Sequence, residues 1–240
     1  MVHTKNPNYI HHSNSKVADS MREIVFGMED GMVSTLGAIT GIAGATFDPF
    51  TTVLAGLVII SVESISMGVG EFLSSKSRKE IDQRILHEEK EEIRDFPEEE
   101  RKELLGMFIA DGWPQDVAKK MVQVTSQDKE LMLREMAYRE LKIVPDKMTN
   151  PLKNGFIMLF SYIIGGGIPL SPYFFLEMKG AIICSIVITL IALFALGVFT
   201  SHFSKRNPIK AGFEMFALAT FAAVVGYVVG KIADVSLGPK

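Results

Sequence analysis

The strongest constraint on the fold is an apolar segment, residues 51–73, that carries a glutamate in its middle and runs on into a glutamate-rich stretch at 88–92 with no Gly or Pro after Gly70. At ~1.5 Å rise per residue, roughly 20 residues cross the ~30 Å hydrocarbon layer of a bilayer, so the segment is long enough to span one. Glu63, Met67 and Glu71 recur at i, i+4 and i+8, which places them on one face of a helix. A carboxylate within a membrane span is costly and by default marks an ion path or a proton relay. The stretch therefore predicts one helix joining a membrane site to an acidic site outside the membrane.

Charge is distributed very unevenly along the 240 residues. Residues 74–153 hold 18 of the 28 acidic and 16 of the 25 basic side chains, whereas residues 181–200 hold none. This predicts a membrane part and a water-exposed part. The formal net charge of −3, with no basic cluster interleaved with aromatics, argues against nucleic acid as a partner. The single cysteine, Cys184, excludes an intrachain disulfide and reads as a small buried apolar residue. Residues 1–20 are polar and lack the apolar core of a signal peptide, so insertion is expected to use the first span itself. His3, His11 and His12 in this tail are assigned no role.

Five spans are expected: residues 24–45, 51–73, 154–170, 179–200 and 209–232. The first is rich in small residues that let helices approach closely, and Glu23, Gly27, Asp30 and Ser34 form a stripe along it. An alternative is that Glu29 or Asp30 caps a shorter helix. The run from Gly165 to Pro172 reads as a breaker at a membrane boundary. The basic residues Lys76, Arg78 and Lys79, and later Lys205, Arg206 and Lys210, place those ends in the cytoplasm, with the amino terminus there too and the carboxyl terminus outside. The expected organisation is a tail (1–20), spans 1–2 (21–74), a cytoplasmic helical domain (75–153) and spans 3–5 (154–240). In the charged region Pro97 and Pro114 are expected to open helices, Gly112 to close one, and Ser126 to cap a last helix reaching about Ile143.

Asp30 and Glu63 offer hard oxygen ligands and Met67 a soft thioether, a mixture that favours transition metals such as ferrous iron over alkaline earths. Buried carboxylates hold protons more tightly, so metal and protons compete for them. In the charged region Glu89 and Glu92, and Glu100 and Glu103, fall on one face of their helices, and folding back at residues 95–97 brings the four together. Met132, Met136 and Glu140 form a stripe that completes an O/S cluster. The plainer alternative is a solvated helix face, although nine acids against four bases over residues 86–103 leave several carboxylates without obvious partners.

Together these residues resemble the vacuolar iron transporter family. The resemblance covers residues 22–31, 66–70, the Glu-rich insertion and residues 166–173; their order is more specific than any single one. It implies an all-α membrane protein of five transmembrane helices with a cytoplasmic metal-binding domain inserted between spans 2 and 3. It also implies a homodimer that is not an enzyme and that exports ferrous iron and related divalent ions (manganese, zinc or cobalt) in exchange for protons. Asp30 and Met67 match the residues lining the family's path, with Glu23 at its cytoplasmic side. Glu89, Glu92, Glu100, Glu103, Met136 and Glu140 match the residues of its metal-gathering domain. Two positions depart: plant members have an acid where this chain has Ile59, for which Glu63 stands one turn away, and a second methionine where it has Ala137. Both departures make manganese a competitor to iron. The membrane is expected to be the plasma membrane in a prokaryote and the vacuolar membrane in a eukaryote. No resident cofactor is expected. Two other readings are a membrane-anchored metal sensor and a di-iron ferroxidase; the latter needs Glu-x-x-His pairs, and Arg84 stands three residues before His87.

Overall fold

A computed structural model describes residues 20–145 and 150–237. The tail with its three histidines and the last three residues lie outside them. The described residues form helices and one 3₁₀ turn: α1 (Met21–Thr46), α2 (Pro49–Asp95), α3 (Pro97–Ala110), α4 (Gln115–Thr125), α5 (Lys129–Arg139), α6 (Pro151–Leu170), the 3₁₀ turn (Ser171–Phe174), α7 (Met178–Ser204) and α8 (Pro208–Leu237). The chain divides into two compact units, one comprising residues 1–71 and 152–240, the other residues 72–151. Among the described residues three stretches are long and apolar enough to cross a membrane: α2, α6 with its 3₁₀ turn, and α7. In α1 the Glu29–Asp30 pair and many small residues dilute the apolar character, although its 26 residues exceed the length required.

In the membrane unit α1 packs against α7 and α8, and α7 against α8. Glycine sets the closest approaches. A Cβ on Gly31 would lie 2.4 Å from the Tyr162 carbonyl oxygen, one on Gly27 2.8 Å from that of Met158, and one on Gly165 2.3 Å from that of Met28. The backbones of α1 and α6 thus touch without intervening side chains, the small-residue packing that stabilises helix pairs in lipid. The run from Gly165 to Pro172 does end the span, at Leu170, but not at its glycines. The helix passes through all three glycines and ends at Leu170, with Pro169 tolerated in its last turn. Nor does an acid cap a shortened first helix: α1 runs unbroken past Asp30 and stops at Thr46, where Phe47 turns left-handed (φ 51°). The Asp48 carboxylate then accepts from the Thr51 N–H and hydroxyl in the first turn of α2.

The other unit has its own apolar core of Ile93, Leu104, Phe108, Ala118, Val122, Met132 and Met136. Pro97 occupies the first turn of α3, and Gly112 supplies the positive φ (95°) after it. The cap of α5 is Asp128 rather than Ser126: its carboxylate accepts from the N–H groups of Glu130 and Leu131, whereas the Ser126 hydroxyl turns back to the Gln123 carbonyl. The helix also ends at Arg139, short of Ile143, with Lys142 left-handed beyond it.

Candidate functional site

The membrane unit assembles polar groups from three helices. Asp30 and Ser34, one turn apart on α1, face Glu63 of α2 and Tyr162 of α6. The Tyr162 hydroxyl donates to Glu63 Oε2. Ser34 Oγ lies 2.5 Å from the same phenol and 2.7 Å from the Asp30 carbonyl oxygen, so its single proton serves one or the other. The Asp30 and Glu63 carboxylates lie within electrostatic range of each other. Tyr162 is wholly buried, while Asp30 and Glu63 are half-buried. Such a chain of carboxylate, phenol and hydroxyl can hold a cation and pass protons.

Met67 is half-buried one turn beyond Glu63 and enters none of these hydrogen bonds. Glu23, two turns before Asp30, is buried and pairs with its neighbour Arg22 at 3.1 Å. The sequence reading missed Tyr162. A tyrosine within an apolar run normally reads as packing, and only its place beside Ser161 and the glycines signals a polar partner.

In the second unit Glu89, Glu92, Glu100, Glu103 and Glu140 form one cluster, each within electrostatic range of at least two of the others. α2 and α3 supply two each, brought together by the reversal at Phe96, and Glu140 caps the carboxyl end of α5. Glu89 and Glu100 are buried, at 3% and 7% exposure, and Glu89 keeps the proton in a hydrogen bond to Glu100. Glu89 Oε1 and Glu100 Oε2 are buried without a hydrogen-bond partner. Burial first, and then the charges of Glu140, Glu100 and Glu92, push the Glu89 carboxyl up to about 8. Burial and neighbouring glutamates raise Glu100 and Glu140 in the same direction.

Among the described residues no three His, Cys, Asp or Glu side chains stand close enough to hold a metal as placed. Met136 is wholly buried in the apolar core with Met132, and Glu92, Glu103 and Glu140 are exposed. Arg139 braces the end of α5, bonding Asp111 and Glu135 and lying 4.3 Å from the centre of the Phe108 ring.

A chain whose described residues build only helices and turns, with apolar helices of spanning length and carboxylates among them, is an integral membrane protein. Residues 21–231 match the VIT family model, and the chain belongs to that family. It is 28% identical over 214 residues to Vacuolar iron transporter 1 of Tulipa gesneriana (89% of this chain, 87% of the relative). It is 28% identical over 227 residues to Vacuolar iron transporter 1 of Arabidopsis thaliana (93% and 91%). The Vacuolar iron transporter of Plasmodium falciparum (isolate 3D7) is 27% identical over 224 residues (89% and 82%).

Proposed function

We propose that this protein is a proton-coupled exporter of divalent transition metal, ferrous iron or manganese, from the cytoplasm. The observation that carries the reading is the Asp30–Ser34–Glu63–Tyr162 constellation in the membrane unit, in a chain whose relatives bear the name vacuolar iron transporter. In this reading α1 and α8 also cross the bilayer, giving five spans with a cytoplasmic amino terminus. The carboxylates of α1 face protein and water-filled space instead of lipid. Two copies pair, and the path lies between them.

The cytoplasmic glutamates collect the ion. A divalent cation offsets the repulsion among Glu89, Glu92, Glu100, Glu103 and Glu140, and it takes the place of the proton that Glu89 holds. Met136 contributes to metal preference if its side chain turns out of the core. In the membrane Asp30 and Glu63 bind the ion with the Met67 thioether beside them, and Glu23 stands on the cytoplasmic approach. Protons returning to the two carboxylates release the metal, which couples the two flows. Zinc and cobalt are secondary cargo, because the same oxygen and sulfur donors accept them.

The test is metal flux in proteoliposomes, iron and manganese measured separately, with and without a pH gradient. Flux that needs the gradient and is lost in Asp30→Asn supports the exporter. Flux equal to that of protein-free liposomes, with metal still bound to the protein, refutes it in favour of a membrane-anchored sensor.

A further inference from the structure

A second acidic pair stands two turns from the Asp30–Glu63 pair, and an arginine already occupies it. Arg22 Nη2 lies 2.7 Å from Glu71 Oε1 on α2 and 3.1 Å from Glu23 Oε1 on α1. The three side chains differ sharply in exposure: Glu23 at 4% and Glu71 at 10% are buried within the unit, while Arg22 at 68% is largely exposed. A guanidinium so placed can leave at little cost in solvation, whereas the carboxylates cannot follow it. Glu23 Oε2 is moreover buried with no hydrogen-bond partner, so the arginine uses only part of the seat.

We propose that Glu23 and Glu71 form a divalent-cation site and that the Arg22 guanidinium is its tethered competitor, swinging into water when the metal arrives. Glu71 follows Glu63 by eight residues on one face of α2, about 12 Å along the axis, and Glu23 precedes Asp30 by seven on α1, about 10 Å. The site is therefore the rung next to the Asp30–Glu63 pair, with both helices contributing to both rungs. Its place on a transport path rests on the exporter reading; its ability to bind metal does not. Arg22 keeps the rung occupied between ions, so that monovalent cations gain no hold there.

The test is Mn(II) titration of the purified full-length protein in detergent, read by electron paramagnetic resonance of the free ion, for the wild type, R22Q, R22K and E71Q. Glu100→Gln, measured alongside, identifies the sites that belong to the other unit. Removing two partly exposed ion pairs should tighten one Mn(II) site about fivefold in R22Q. R22K, which keeps a cation but loses the planar fork, should fall between it and the wild type. E71Q should lose that site while circular dichroism shows unchanged helix content. Equal titrations in the wild type, R22Q and R22K, or a full complement of sites in folded E71Q, overturn the proposal. Flux measured on the same preparations separates the two readings: a wild type that moves no metal refutes the exporter and leaves the Mn(II) titration to decide the site.

Discussion

If the glutamate domain captures metal, capture must expel a proton, and the pH dependence follows from Glu89. Its carboxyl is held up to about 8, against an ordinary 4.5. At pH 7 it is therefore about nine-tenths protonated, and a metal that takes it as a ligand releases about 0.9 proton from this residue alone. Between pH 8 and pH 6 competition at Glu89 should weaken binding about fiftyfold, with Glu100 and Glu140 steepening the fall where they too retain protons. The assay is calorimetric titration of the full-length protein with Mn(II) in buffers of different ionisation heat, which counts protons released per metal from pH 6 to 8.5. Glu89→Gln should remove close to one proton at pH 7. The same shift makes the stability of the metal-free domain depend on pH. A carboxyl raised above its unfolded value contributes stability that is complete below about pH 4.5 and is lost as pH rises through about 8, so melting should move down over that range. Proton release that is flat across this range, or unchanged in Glu89→Gln, would refute the reasoning.

Asp30→Asn should abolish metal flux in proteoliposomes and leave helix content intact, since it removes the charge and keeps the shape. Tyr162→Phe deletes the phenol that holds Glu63 and should lower the flux at least several-fold, with sedimentation and circular dichroism unchanged. Gly31→Ala, whose Cβ would lie 2.4 Å from the Tyr162 carbonyl oxygen, should cost about 1–3 kcal/mol in detergent unfolding, whereas Gly44→Ala, with nothing within 4 Å, should cost nothing.

Much of the fold was legible because its local signals agree. Pro97 and Gly112 punctuate the charged region by fixed backbone preferences, and no Gly or Pro after Gly70 interrupts α2. Spacing of three and four residues placed Glu89 beside Glu92 and Glu100 beside Glu103 on their helix faces. It did not foretell that Asp128 would outcompete Ser126 for the cap, because both side chains can accept from a first-turn N–H and only the path of the chain decides. Nor could local sequence show that the helix runs through the glycines at 165–167 before it ends at Leu170, since Gly165 and Gly166 take their place from α1 and α2 packed against them. Tyr162 escaped for a related reason: its hydroxyl gains meaning only from Ser34 and Glu63, which are 128 and 99 residues away in the chain.

The contact between α1 and α6 bears on how the membrane site can open. Where backbone meets backbone at Gly27, Gly31 and Gly165, no rotamers are available to take up a displacement, so these two helices behave as a single stave carrying Asp30, Ser34 and Tyr162. α2 meets its neighbours differently: Gly56 faces the methyl groups of Leu170, and Gly68 the side chain of Leu159 together with the Gly155 carbonyl oxygen. The Leu170 methyl groups can change rotamer as α2 turns or slides, whereas the Leu159 Cβ and the Gly155 carbonyl oxygen at Gly68 are fixed by the backbone. Parting Glu63 from Tyr162 by a motion of α2 is therefore easiest about the close contact at Gly68, with the Leu170 side chain yielding at Gly56.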